Sequence, residues 1–171
     1  MENLIQRMNQ ISDRDDGRNL FLVLEGVYNR LNSQCLSSAG LVIKAGGSAL
    51  AKAGSVTHAI ANGVLIRKTA NTDMAALSGT VTNAAFNVFV FTVDSAGTLY
   101  TQMGTEGATI GAVRWPTIDQ KRAILGFVVI NPTGTGNFVG GTTPLDDATV
   151  VPNAAYVNTQ GAFDPTAYTG V

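Results

Sequence analysis

Apolar positions in the first thirty residues recur at helical spacing. Leu4, Met8 and Ile11 share one face, and Leu20, Leu24, Val27 and Leu31 share another, widened by Val23 and Tyr28. Asp15 and Arg18 stand where a continuous stripe would need apolar groups, with Gly17 between them. The pattern therefore predicts two short helices with a break near Asp16–Gly17, one bent helix being the competing arrangement. Ser33 and the "SSAG" of Ser37 to Gly40 end the helical part.

From Leu41 onward the period changes from helical to alternating, and glycine, threonine and β-branched residues dominate. "HAIANGVLIRK" places Asn62-Gly63 between two apolar runs, a strong hairpin signal because both turn residues must accept positive φ. "FNVFVFTVDSAGTLYTQ" puts Phe86, Val88 and Val90 on one face and Phe89, Phe91 and Val93 on the other, so it reads as a central strand buried on both sides. Asp94 to Gly97 turns it into a strand over Thr98 to Gln102. "RAILGFVVI" reads as a further strand, with Gly126 at a bulge or a close backbone approach. "NFVGG" and "ATVV" read as short strands, and "NTDMAALSG" as a helical turn. The expected fold is mainly β with an N-terminal α-helical segment, the strands forming an antiparallel barrel or sandwich. The organisation follows: residues 1–39 as a helical anchor or oligomerisation segment, 40–152 as the β domain, and 153–171 as an extended tail with spaced aromatics.

Composition narrows the function classes. Eleven basic and 12 acidic residues leave a net charge of -1, which gives no polyelectrolyte signature for nucleic acid. Only 13% of residues are charged, about half the usual share, as in a subunit whose surface is covered by neighbours. "MENLIQRMNQ" has no apolar signal-peptide region, and "LFLVL" is far shorter than the roughly 20 residues that span a bilayer. Synthesis in a cytoplasm, and no membrane partner, are expected.

Candidate chemistry is sparse. The one cysteine, Cys35, excludes an internal disulfide and any multi-cysteine metal site. The one histidine, His58, lies in the strand "THAIA" without a catalytic motif around it. Asp15-Asp16 and Asp146-Asp147 are sequence neighbours whose side chains diverge, better suited to a helix terminus and a loop cap than to a carboxylate pair. "GTGNFVGGTT" has the glycines of a phosphate loop but neither its lysine nor a following helix, so it reads as turns between strands. Trp115, before Pro116, could stack on a sugar, but reads more readily as a plug at one end of a barrel. No catalytic residue, cofactor or metal ligand is assigned.

The order "FNVFVFTVDSAGTL", "VRWPTIDQKRAILGFVVI", "GTGNFVGGTTPLDDATVVPNAAYVN" is similar to a small β-domain of tailed-bacteriophage virion proteins, notably capsid decoration (cement) proteins and head fibres. The likeness runs over Leu41 to Asn158 and leaves the N-terminal helices outside; "TIDQKRAILG" departs from the commoner proline-rich spelling. It implies attachment to the major capsid protein on the virion surface, oligomerisation often as trimers, and no catalytic residues. The apolar stripe needs burial, since an isolated 12- to 15-residue helix is marginal in water. The expected partner or oligomer interface is therefore Leu20, Leu24, Val27 and Leu31, with Tyr156, Phe163 and Tyr168 of the tail. The rival classes are a head-fibre or tail-associated adaptor and, further off, a carbohydrate-active enzyme.

Overall fold

The computed structural model describes residues 14–163. One helix, α1 (Arg14–Leu31), precedes eleven short strands: β1 (Gln34–Cys35), β2 (Leu41–Ile43), β3 (Ala51–Ala53), β4 (Thr57–Ala61), β5 (Val64–Lys68), β6 (Thr80–Val81), β7 (Asn87–Val93), β8 (Leu99–Met103), β9 (Ala123–Ile130), β10 (Phe138–Val139) and β11 (Ala155–Asn158). Among the described residues the strands pair antiparallel throughout. The mainly antiparallel β fold with an N-terminal helix is thus as expected. Among the described residues no strand order closes on itself, so the architecture is packed sheets and not a closed barrel.

The main sheet has the order β11-β9-β7-β8. Strand β7 lies inside it, and all seven of its residues are buried. Phe89, Phe91 and Val93 enter the larger core with Leu125, Val128 and Ile130 of β9, while Val88 and Val90 enter a second core with Ile124, Val113 and Ile118. A strand apolar on both faces must be central, because each face needs a layer over it.

Gly126 settles which face each residue of β9 takes. Phe91 pairs with Gly126 but Thr92 pairs with Ile124, so Leu125 is the extra residue of a β-bulge. Without that residue, everything beyond it would switch faces; with it, Phe127 joins the second core and Val128 the first. Gly126 holds φ at 153°, and a Cβ there would run into the Val157 carbonyl oxygen and lie 2.6 Å from Leu41 Cδ1. Glycine is required by the conformation and by the neighbours alike.

The small sheets β1-β4-β5, β2-β3 and β6-β10 complete the structure. Strands β1 and β4 lie against β9, and β2 lies against β11. Strand β4 buries Thr57, Ala59 and Ala61 in strict alternation, as a sheet with one core face should. The β4–β5 hairpin turns at Asn62 (φ 50°) and Gly63 (φ 78°), both left-handed, as its dipeptide required.

Three local expectations are corrected. The helix runs through Asp16–Gly17 without interruption; the stripe of Leu4, Met8 and Ile11 lies outside the described residues. "ATVV" is a turn and not a strand, because the Asp147 carboxylate accepts the N–H groups of Thr149 and Val150 that a ladder would need. "NTDMAALSG" is extended and not helical: Ala53 donates to the Thr72 carbonyl, Met74 donates to that of Ala51, and Asp73 bridges Lys52. Within the tail, Ala155–Asn158 form β11 on the edge of the main sheet. Its attachment is reinforced where Leu41 N–H donates to Asn158 Oδ1 (2.9 Å) and Thr159 Oγ1 donates to the Ile124 carbonyl (2.7 Å).

Candidate functional site

Helix α1 has 18 residues, about 27 Å of helix. Its apolar side chains are uncovered: Phe21 is 65% and Tyr28 67% exposed, and Leu22, Leu24, Val27 and Leu31 are each about half exposed. Leu20 is somewhat less so. Glu25 and Arg30 are the charged residues between Leu20 and Leu31. Among the described residues, neither core of the β body includes a side chain of the helix. The structure therefore brings four of the expected interface residues, Leu20, Leu24, Val27 and Leu31, onto one face of one helix.

The foot of that helix is built into the β body. Gly63 N–H donates to the Asn32 carbonyl (2.8 Å) and Asn62 N–H to Ser33 Oγ (3.1 Å), tying the β4–β5 hairpin to the residues that follow α1. Chain and hairpin thus fix the helix at its C-terminal end. Exposed apolar residues continue there, with Leu36 after β1 and Val64 and Leu65 at the start of β5. Sequence periodicity had not marked these three, because an exposed side chain on a strand is recognised only once the core side of its sheet is known.

The aromatic tail residues are placed otherwise. Tyr156 sits in β11 opposite Val128, half-buried against the larger core. Phe163 packs on the far side of the main sheet, its ring 6.0 Å from Trp115 and 6.2 Å from Phe127. Trp115 meets Phe127 edge-on at 4.8 Å, so it covers the outer face of the main sheet and does not plug a barrel. Tyr168 lies outside the described residues.

Near Tyr156 is a hollow of about 310 Å³ lined by Ile43, Leu145, Asp146, Val151, Pro152 and Tyr156. The Tyr156 hydroxyl is sealed from solvent and has no hydrogen-bond partner. Burial, then the nearby Asp146 carboxylate, pushes its pKa up to about 12. Asp146 is occupied in turn, both its oxygens accepting from Gly47 N–H. The hollow presents no free polar group from the tyrosine.

The remaining candidates serve the fold. The glycine-rich segment spends its N–H groups internally: Gly134 donates to the Val150 carbonyl, Thr135 to that of Thr149, Gly140 to that of Gly79, and Thr142 and Thr143 to that of Val139. A phosphate cradle needs those donors converging outward, so the segment is a set of turns. Cys35 is buried, its Sγ–H donating to the Ser37 carbonyl (3.1 Å), and burial pushes the thiol pKa up, away from a reactive thiolate. His58 is half-buried on β4 opposite Arg67; its backbone N–H donates to Ser37 Oγ and its carbonyl accepts from Leu36 and Ser37. Among the described residues no three of His, Cys, Asp and Glu converge as a metal set would, and no helix is long and apolar enough to cross a membrane.

No family model, curated protein or solved structure matches this chain.

Proposed function

We propose that this chain is a non-enzymatic structural subunit of a tailed-bacteriophage virion, a decoration (cement) protein that binds the outside of the major-capsid lattice and stabilises the head. The observation that carries the reading is the uncovered helix: a β body with two cores of its own holds out an apolar face that it does not need. Such a face is stable in water only when something else buries it. The likeness of "FNVFVFTVDSAGTL" and "GTGNFVGGTTPLDD" to virion β-domains supplies the setting. Self-association into a homotrimer supplies the usual cyclic way of hiding such a face.

The physical work of a cement protein is burial. Each fully buried leucine or valine contributes about 1.5–3 kcal/mol, so a few contacts per copy add up across a lattice. Particles lacking the protein should lose their DNA on mild heating or osmotic shock, and adding the purified chain back should restore them. Intact, stable heads that fail to adsorb to cells would identify a head fibre or tail adaptor instead. Turnover of a host glycan would identify the enzyme.

A further inference from the structure

Of the chain's asparagines, only Asn62 is followed by glycine. In that dipeptide the next backbone nitrogen reaches the side-chain amide carbon most readily, because glycine has no side chain to hinder the approach. Attack of the Gly63 nitrogen on Asn62 Cγ forms a C–N bond and closes a succinimide ring. The Gly63 proton and the side-chain NH2 leave together as ammonia. Water then opens the ring, giving aspartate by addition at Cγ and isoaspartate by addition at the main-chain carbonyl. Both residues stand exposed at the tip of the β4–β5 hairpin, so water reaches the site.

The fold locks that step. The attacking nitrogen must give up its proton, yet Gly63 N–H is engaged with the Asn32 carbonyl (2.8 Å), and Asn62 N–H with Ser33 Oγ (3.1 Å). Ser33 is buried, 4% exposed, so the second bond does not trade readily with water. The reaction therefore runs from a state in which the hairpin tip has come off the residues that follow α1. That is a local opening, which leaves both cores of the β body intact.

We propose that Asn62 is a modification site: when the foot of α1 opens, it converts itself to aspartate or isoaspartate with loss of ammonia, and the conversion loosens that foot for good. The succinimide has no N–H at Gly63, so the bond to the Asn32 carbonyl is absent while the ring lasts. Isoaspartate then lengthens the main chain by a methylene. It does so inside a turn whose register, Ala61 opposite Val64, leaves room for two residues, both at positive φ. Either product sets a carboxylate beside the C-terminal end of α1, where the last carbonyls already carry negative partial charge. A separate hold remains, since Asn29 Nδ2 donates to Gln120 Oε1 (2.8 Å). The helix thus stays attached while its exit loosens.

The test ages the purified full chain in mildly alkaline buffer and digests it with trypsin. The amide-to-acid mass shift should appear in the peptide of residues 53–67 before that of any other asparagine, and an isoaspartate-specific methyltransferase should label it. Unfolding in urea should speed the conversion at least about tenfold, the ratio being set by the equilibrium for opening the foot. Ser33→Ala removes one of the two bonds and should speed it about two- to tenfold in the folded chain. The modified fraction, separated by its added charge, should exchange amide deuterium faster over residues 32–33 and 61–64, with β7 unaltered. Asn62→Gly accepts the same positive φ and has no amide to lose, so its aged protein should keep the exchange rates of fresh protein. Equal rates in folded and unfolded chain, first conversion at another asparagine, or unaltered exchange in the modified fraction would each overturn the proposal. So would an aged Asn62→Gly chain that loosens as fast as the wild type. No particle enters these measurements, so their outcome leaves the decoration reading where it stands.

Discussion

At the scale of single residues, two positions show how local constraint and burial decide the structure. Gly126 carries the bulge that lets Phe127 and Val128 enter opposite cores. Gly126→Ala would combine a left-handed φ with overlap on the Val157 carbonyl and Leu41, and should destabilise the fold by about 2–4 kcal/mol, read as a lower midpoint in urea. Tyr156 is the opposite case, a buried hydroxyl with no partner. Tyr156→Phe removes a polar group that burial penalises and should be neutral or stabilising by up to about 1 kcal/mol. The pH dependence follows from its raised pKa, about 12. Between the ordinary tyrosine value near 10 and about 12 the folded chain keeps a proton that the unfolded chain has lost. The tyrosine's contribution is therefore fully present below pH ~10 and is lost as pH rises toward about 12. Alkaline unfolding of Tyr156→Phe should lack that component; an unaltered alkaline limb would mean that the hydroxyl is solvated.

At the scale of elements, the sequence was legible wherever one local rule dominated. Asn62-Gly63 allowed only a tight hairpin, and the doubly apolar "FNVFVFTV" only a central strand. It was illegible where side chains compete with the backbone. Asp147 captures the amides that would have made "ATVV" a strand, and the β-branched pattern carries no trace of that capture. The helix face was readable from periodicity, whereas the outward row of Ile60 and Leu65 was not, since burial of Ala59 and Ile66 on the other side depends on the hairpin packing against β9, far along the chain. Helix α1 also contains Gly26, around whose missing Cβ nothing lies within 4 Å. Gly26→Ala sits off the apolar stripe, removes a helix-weakening residue, and should stabilise α1 by about 0.5–1 kcal/mol. More helical circular dichroism and tighter self-association are expected; a loss of association would mean that another chain packs closely over Gly26.

At the scale of the whole molecule, the distribution of charge sets how attachment should respond to conditions. Thirteen per cent charged residues and a net charge of -1 leave little for long-range electrostatics to act on, and the uncovered surfaces of α1 and β5 are mainly apolar. Apolar burial is not screened by salt, whereas contacts between exposed charges fade over a Debye length that falls from about 10 Å to about 3 Å between ~0.1 and ~1 M ionic strength. Decoration of heads should therefore survive ~1 M sodium chloride with little loss of occupancy, as measured by sedimenting particles and assaying the bound chain. Leu24→Asp together with Val27→Asp should abolish it at any salt concentration, because each carboxylate would be buried unpaired where the apolar face of α1 meets the head. Release of the wild-type chain by moderate salt would overturn this account of attachment. It would place the contact with the head on charged loops of the β body and confine the helix to holding copies to one another.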